Sequence, residues 1–261
     1  MEVVILPSAA AAGALAAQAI RELLATKPAA VLGLATGSSP LPVYDALARM
    51  QAAGEVSFSH ASAFALDEYV GLPADHPAGY RAVIRTEFTE RVDMPPASVH
   101  VPDGQATDLQ AACRGYEAAI AEAGGVDLQL LGIGSDGHIG FNEPGSSLAS
   151  RTRVKTLTEL TRADNARFFD GDMDLVPRHC LTQGLGTIME SRHAVLLASG
   201  PGKADAVRAM VEGPVSARCP ASVLQFHPHA TVLVDEAAAS KLELAGYFRY
   251  TYANKPDWQG L

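Results

Sequence analysis

The sequence predicts an α/β fold built on a doubly wound, mainly parallel sheet with helices on both faces. Short apolar runs of strand length alternate with segments of helical periodicity along the chain. Several of these runs end in a glycine- or hydroxyl-rich turn that leads into a helix. Because 261 residues that are 48% hydrophobic can fill one large core, we expect a single Rossmann-like domain over residues 1–261.

The elements follow one another in a regular order. Apolar runs predict strands at residues 3–6, 31–35, 61–66, 126–133, 195–198 and 233–235. Helical spacing predicts helices at residues 9–24, 43–50, 81–92, 108–123 and from 203 through 210. Residues 171–177 are acidic and end in proline, which is typical of a loop, and the aromatic tail at 247–261 is expected to pack on the surface.

Composition excludes several classes of partner. The formal net charge is −9 and no long basic run is present, so we expect neither nucleic acid nor an anionic membrane as a partner. No stretch reaches the roughly 20 apolar residues that span a bilayer, and residues 1–6 do not form a secretory leader. The three cysteines are widely separated and odd in number, which predicts reduced thiols and a cytoplasmic location.

The turn after the second predicted strand is a candidate anion site. Thr36, Gly37, Ser38 and Ser39 place hydroxyl and backbone N–H groups at a helix N-terminus, where the helix dipole favours negative charge. An ordinary serine N-cap before Pro40 fits this stretch equally well. The turn lacks the Walker lysine and the dinucleotide glycine pattern, so we do not expect a nucleotide.

Asp67 and Glu68 end the third predicted strand. Taken alone, such a pair is more often a helix cap or a solvated turn. The strictly apolar run before them and the adjacent Tyr69 favour partial burial. Burial and mutual repulsion would raise the pKa of one carboxyl group toward the range of a general base.

The loop after the central strand is the strongest candidate for a reaction site. It carries Asp136, His138 and Glu143 within eight positions, among glycines at 132, 134, 137 and 140. Imidazole with two carboxylates suits proton transfer, and a metal is also conceivable from these residues alone. Lys203 starts a later helix, where a cation opposes the dipole unless an anion binds nearby.

All these strand ends meet at one edge of a parallel sheet. The pattern therefore predicts a small anionic substrate on which acid–base chemistry is done, and it leaves the reaction open.

At this point the sequence resembles the glucosamine-6-phosphate deaminase family along nearly its whole length. The matching stretches are LGLATGSSP at 32–40, LDEYVGL at 66–72, GIGSDGHIGFNEP at 132–144, SLASRTRVKTLT at 147–158 and ARFF at 166–169. The third and fourth of these stretches together are highly specific for this family.

The resemblance implies conversion of glucosamine 6-phosphate and water to fructose 6-phosphate and ammonia in amino-sugar catabolism, without a metal or organic cofactor. It makes Asp67 the base that moves the C2 proton to C1, and His138 the acid–base group that opens the pyranose ring, with Asp136 and Glu143 as its partners. The residues implied to bind the substrate and its phosphate are Thr36, Gly37, Ser38, Ser39, Gly132, Arg167 and Lys203. Ala35 and Ser38 depart from the proline and glycine that some members carry.

Some members of this family are hexamers activated by N-acetylglucosamine 6-phosphate. By resemblance, Ser146, Arg153, Lys155 and Thr156 hold the effector phosphate, whereas their plain alternative is a solvated strand. The resemblance also favours a homo-oligomer and a mobile lid around residues 153–182.

Two other functions compete with this expectation. A 6-phosphogluconolactonase shares the fold and an Asp-Gly-His loop, but its loop typically continues as TASLFP, whereas this chain has IGFNEP at 139–144. A sugar-phosphate-binding regulatory domain would want an attached helix-turn-helix and a basic face. The first predicted strand begins at Val3, so we do not expect that arrangement.

Overall fold

The protein is described from a computed structural model that covers residues 1–256 and 258–261. Its strands are β1 (Glu2–Leu6), β2 (Val31–Leu34), β3 (Ser62–Ala65), β4 (Asp67–Tyr69), β5 (Val99–His100), β6 (Leu128–Leu131), β7 (Arg153–Thr156), β8 (His179–Thr182), β9 (His193–Ala198) and β10 (Ala230–Asp235). Its α-helices are α1 (Ala9–Thr26), α2 (Leu41–Ala52), α3 (Tyr80–Glu87), α4 (Leu109–Glu122), α5 (Glu159–Asn165), α6 (Leu185–Met189), α7 (Ala204–Val211) and α8 (Ala245–Ala253).

The main sheet has seven strands in the order β1-β10-β9-β6-β2-β3-β5, and its strand pairs are parallel. From β2 the chain moves outward through β3 to β5, whereas from β6 it moves the other way through β9 to β10. The direction of winding therefore reverses between β2 and β6. Open sheets of this kind bind ligands outside the carboxyl ends of the strands at that reversal. The predicted doubly wound, mainly parallel fold is confirmed.

A second, antiparallel sheet of three strands, β4-β8-β7, was not predicted from the sequence. Its strands are three or four residues long, and the pairing of Asp67 with Thr182 joins distant parts of the chain. Residues 153–182 build most of this layer. Apolar side chains there form a small cluster that is separate from the main core. The members of this small cluster are Tyr69, Ala78, Phe141, Leu157, Ala166, Phe169, Val176 and Cys180.

Local signals in the sequence explain most element boundaries. Ser8 caps α1, because its Oγ accepts a hydrogen bond from the N–H of Ala11 at 3.2 Å, and Asp108 caps α4 in the same way. The helix predicted at 81–92 ends at Glu87 and continues as a 3-10 turn at Thr89–Arg91. The predicted loop at 171–177 contains a 3-10 turn at Met173–Leu175, and part of the aromatic tail forms α8.

The three cysteines are unpaired and buried. Within residues 1–256 and 258–261, no helix has the length and apolar character needed to cross a membrane.

A buried histidine at the start of β9 makes stability depend on pH. The ring of His193 stacks on that of His229 with centroids 3.7 Å apart, and its Nε2 lies 2.9 Å from Thr231 Oγ1. Burial, followed by the charges of His229, His227 and Lys255, lowers the pKa of His193 from 6.5 to about 3. In the unfolded chain the same ring takes up a proton near its ordinary pKa.

The contribution of His193 to the free energy of unfolding is therefore expected to be fully present above about pH 6.5. As the pH falls from there to about pH 3, the free energy of unfolding should decrease by up to about 1.4 kcal/mol per pH unit. Urea unfolding at pH 7.5 and pH 5 measures this slope. His193→Gln should show a shallower slope between the two pH values than wild type, whereas His60→Gln, at an exposed histidine, should match wild type. Equal slopes in all three proteins would contradict the account.

Candidate active site

A cavity of about 550 Å³ lies at the carboxyl ends of β2 and β6, where the winding of the sheet reverses. Its size suits a sugar phosphate. The cavity brings together all the predicted catalytic and substrate-binding residues except Asp136 and Glu143, which lie behind His138. Those that line it are Thr36, Gly37, Ser38, Ser39, Asp67, Gly132, His138, Arg167 and Lys203.

The adjacent carboxylates Asp67 and Glu68 have different environments. Glu68 accepts hydrogen bonds from the N–H groups of Tyr69, Tyr80 and Arg81, so it caps the N-terminus of α3. Asp67 is 5% exposed and lines the cavity. Burial raises the pKa of the Asp67 carboxyl well above its usual range, and the charge of Glu68 raises it further. Glu68 is thus the helix cap, and Asp67 is the buried carboxyl with the raised pKa that suits a base.

His138 lies between two carboxylates. Its Nδ1 is 2.7 Å from Asp136 Oδ1 and 3.7 Å from Glu143 Oε2. Nδ1 is buried and forms no hydrogen bond among the described residues, so the two carboxylates meet it as close charged neighbours. Partial burial would raise the pKa of Asp136, but its contacts with His138 and the charge of the imidazolium outweigh burial and hold that pKa well below its usual range. Asp136 is therefore ionised and can orient the ring.

Glu143 joins this group to α5. One oxygen, Oε1, accepts hydrogen bonds from the N–H and Oγ1 of Thr158 at 3.2 and 3.3 Å. Thr158 is the N-cap of α5, since its Oγ1 accepts from the N–H of Thr161 at 3.2 Å. The other oxygen, Oε2, is buried and lacks a hydrogen-bond partner in the described chain. Glu143 thus has one oxygen committed to structure and one available to His138.

The same three side chains are the group that could hold a cation. Ligand atoms of Asp136, His138 and Glu143 all lie within 4.8 Å of one another, which is the only such cluster in the described residues. Each residue offers one ligand atom, so the set could contribute three ligands to a metal, and the same arrangement suits a proton relay.

Gly134 makes the position of the imidazole possible. A Cβ at this residue would lie 2.2 to 2.5 Å from three atoms of the His138 ring. The ring therefore packs directly on the backbone of the loop, and only glycine leaves room for it.

The hydroxyl groups of the turn at residues 36–39 do not cap the helix that follows. Helix α2 begins at Leu41 with Pro40 as its N-cap, and no side chain caps it. The alternative of a serine N-cap is therefore not what the structure shows. Gly37 has a φ of +85°, which bends the turn in a way that favours glycine. Ser39 lies against Gly132 of the central loop, so the turns after β2 and β6 meet at the cavity.

Two cations line the same cavity as this turn. Arg167 lies in a 3-10 turn after α5, with its guanidinium 4.7 Å from the centre of the Phe168 ring. The pKa of Lys203 is lowered, chiefly by burial. The charge of Asp164 opposes this shift and the charge of Arg167 adds to it. Like charges brought together in a cavity that is also lined by hydroxyl-bearing residues are the pattern of an anion site.

The four residues predicted to bind an effector lie outside the cavity. Ser146 Oγ and Arg153 Nη2 are buried without hydrogen-bond partners in the described part of the chain, and burial lowers the pKa of Arg153. Arg153 and Lys155 are half-buried on one face of β7, whereas Thr156 is exposed on the other. The Thr156 side chain therefore lies on the opposite face of β7 from the side chains of Arg153 and Lys155.

Several residues around the cavity were not singled out from the sequence. Tyr80, Asp164 and Asn165 line it but do not follow a strand of the main sheet. Tyr80 is the first residue of α3, one position before the predicted helix at 81–92, whereas Asp164 and Asn165 belong to α5, which the sequence did not predict. Thr158 carried a usable signal, since a threonine before a polar helical turn is a common N-cap.

Comparison with known proteins places these features in a family. Residues 7–234 match the family described as "Glucosamine-6-phosphate isomerases/6-phosphogluconolactonase". The chain belongs to this family. Over 261 residues, all of both chains, it is 69% identical to the glucosamine-6-phosphate deaminase of Pseudarthrobacter chlorophenolicus and 66% identical to that of Streptomyces coelicolor. The family resemblance expected from the sequence is confirmed.

Solved structures in the glucosamine-6-phosphate isomerase/6-phosphogluconolactonase family share the architecture. A monomeric glucosamine-6-phosphate deaminase matches with a TM-score of 0.90 and 44% identity over 92% of this chain and 100% of that chain. The 6-phosphogluconolactonase of Trypanosoma brucei matches with a TM-score of 0.73 and 21% identity over 92% of this chain and 98% of that one. At that identity the lactonase shows the shared fold alone.

Proposed function

We propose that this chain converts glucosamine 6-phosphate and water to fructose 6-phosphate and ammonia. The observation that carries the proposal is the meeting of Asp67, His138 and the cation pair Arg167 and Lys203 in one cavity. Full-length relatives named glucosamine-6-phosphate deaminase support it.

Ring opening is assigned to His138. The step removes a proton from the anomeric hydroxyl and returns one to the ring oxygen, and an imidazole can do both near neutral pH. Asp136 and Glu143, on either side of Nδ1, stabilise the imidazolium that forms between these transfers. The product of this step is the open-chain aldehyde.

Isomerisation is assigned to Asp67. Its carboxylate takes the proton from C2 while the carbonyl oxygen O1 takes up a proton from solvent, which gives an enolamine across C1 and C2. Asp67 then returns a proton to C1 as the nitrogen releases one to solvent. The resulting C2 imine adds water and releases ammonia, so the overall reaction consumes one water. One carboxylate held over two adjacent carbons suffices for the proton transfer, and the raised pKa of Asp67 suits a group that must both accept and donate.

The phosphate is assigned to the turn at residues 36–39, with Arg167 and Lys203 as counter-charges. Arg167→Ala removes one charge-assisted contact, which costs about 1.5 to 3 kcal/mol, or about 10- to 100-fold in affinity. Because the phosphate does not react, the contact contributes equally to the ground and transition states. KM should therefore rise by that factor while kcat changes little.

Steady-state kinetics measure this split, with Arg114→Ala on the exposed face of α4 as a matched arginine control. Equal losses in kcat and in 1/KM for Arg167→Ala would contradict the assignment.

Ammonia release from glucosamine 6-phosphate tests the function as a whole. We expect ammonia and fructose 6-phosphate in equal amounts, and the same rate after treatment with a chelator, since the proposed steps need no metal. Absence of ammonia would overturn the proposal. Hydrolysis of 6-phosphogluconolactone in place of ammonia release would point to the lactonase alternative, and sugar-phosphate binding without turnover would point to a regulatory domain.

We also propose that an effector phosphate, such as that of N-acetylglucosamine 6-phosphate, is held by Ser146, Arg153, Lys155 and Thr156, and that residues 153–182 act as a lid. The unpartnered Ser146 Oγ and Arg153 Nη2 support the first idea, and the separate apolar cluster supports the second. Lys155 shares the face of Arg153, while Thr156 would contribute through its backbone. Sigmoidal kinetics that the acetylated sugar relieves would support the effector site.

Assembly and location remain predictions. Resemblance favours a hexamer, although one similar solved structure is of a monomeric deaminase. Analytical ultracentrifugation decides between them. Three buried thiols without disulfides agree with a cytoplasmic location.

A further inference from the structure

The C-terminal end of α5 is tied to two walls of the cavity. Asn165 Nδ2 donates a hydrogen bond to the Tyr69 hydroxyl on β4 at 3.0 Å. The preceding residue, Asp164, accepts one from Ser135 Oγ of the central loop at 3.4 Å. The N-terminal end of α5 is held separately, through Thr158 and Glu143. The Asn165 bond is therefore the shorter of the two bonds by which residues 164 and 165 join the walls of the cavity.

Tyr69 is a fixed point for this bond. Its side chain is 1% exposed, and its ring packs against those of Tyr80, Phe141 and Phe169 with centroids 4.9, 5.7 and 5.6 Å away. The Tyr80 hydroxyl also donates to the Tyr69 hydroxyl at 3.3 Å. Burial raises the pKa of Tyr69, so the hydroxyl stays neutral and accepts both bonds.

The bond links the two ends of the substrate site. Asn165 is followed directly by the 3-10 turn Ala166–Phe168, which carries Arg167. That turn is closed by a hydrogen bond from the Phe169 N–H to the Ala166 carbonyl at 2.8 Å. Tyr69 lies on the same three-residue strand as Asp67. The position of Asn165 relative to Tyr69 therefore sets where Arg167 stands relative to Asp67.

We propose that Asn165 is a positioning residue, whose bond to Tyr69 fixes the phosphate-binding Arg167 at the correct distance from the base Asp67. The inference rests on the proposed function, because it takes Arg167 as a phosphate ligand. A sugar phosphate must reach both groups at once, so loss of the bond weakens phosphate binding without removing any group that touches the reacting carbons.

Asn165→Ala and Tyr69→Phe remove the two partners of the bond, and Tyr69→Phe keeps the packed ring. Each should raise KM for glucosamine 6-phosphate about tenfold with kcat within about threefold, which corresponds to one hydrogen bond. The double variant should lose no more than Tyr69→Phe alone, because that variant already removes the Asn165 bond together with the bond from the Tyr80 hydroxyl. Asn254→Ala is the matched control, since Asn254 Nδ2 donates to the Tyr250 carbonyl on the exposed helix α8 and should leave KM unchanged.

Two readouts separate this inference from the proposed function. Phosphorus NMR titration with inorganic phosphate should show about tenfold weaker binding in Asn165→Ala and Tyr69→Phe, whether or not the protein releases ammonia. Hydrogen exchange of backbone amides in residues 159–169 should be faster in both variants than in wild type. Unchanged phosphate affinity and unchanged exchange in the two variants would overturn the proposal, as would additive losses in the double variant.

Discussion

Asp67→Asn should lower kcat for ammonia release by about a thousandfold, within the range measured when a general base is removed. The Asp67 carboxylate is buried at the cavity, and an amide of the same shape cannot take the C2 proton. Binding of an unreactive sugar phosphate should be retained, because the cations and the 36–39 turn are untouched. A residual turnover above about one hundredth of wild type would exclude Asp67 as the base.

Glu68→Gln is the matched control for this prediction. Glu68 caps α3, so its loss should lower thermal stability while kcat stays within a few-fold of wild type. The charge of Glu68 is the second cause, after burial, of the raised pKa of Asp67. Its removal should lower the pKa of Asp67, and the acidic limb of the profile of kcat/KM against pH should move to lower pH. A limb that stays in place would show that another group controls it.

His138→Gln should lower kcat/KM about a hundredfold, because glutamine cannot shuttle a proton between the anomeric hydroxyl and the ring oxygen. This loss in kcat/KM should be smaller than the loss in kcat/KM of Asp67→Asn, since pyranose rings also open slowly in water without a catalyst. His60→Gln, at an exposed loop position, is the control and should match wild type.

Glucose 6-phosphate separates the two roles. It can open its ring but lacks the amine that leaves from C2. Exchange NMR should show that wild type and Asp67→Asn speed the interconversion of its anomers, whereas His138→Gln does not. If Asp67→Asn lost this activity and His138→Gln kept it, the two assignments would be reversed.

The sequence predicted the parts of the site that follow strands of the main sheet. Apolar runs identified β2, β3 and β6, and the residues after them, from Thr36 to His138, meet as a parallel sheet requires. The separate environments of Asp67 and Glu68 could not be predicted. That division depends on the N-terminus of α3, which returns to β4 from later in the chain.

The second sheet and the contacts of α5 escaped sequence analysis for a related reason. Strands β4 and β8 are too short to show a clear periodicity, and their pairing is long-range. Asn165 and Tyr69 come together only because that sheet forms. In α8, formed by the aromatic tail, Phe248 and Tyr252 pack against the main core while Tyr247 and Tyr250 are exposed, so its aromatic residues lie on both faces and do not mark a single apolar stripe in the sequence.

Transfer of a hydrogen label tests the central claim most directly. Glucosamine 6-phosphate deuterated at C2 can be incubated with wild type and with Asp67→Asn, and deuterium at C1 of the product can be measured by NMR. We expect ammonia release with part of the label at C1 for wild type, and neither for Asp67→Asn. Label at C1 formed by Asp67→Asn at the wild-type rate, or ammonia released by wild type with the label still at C2 of a product, would contradict it.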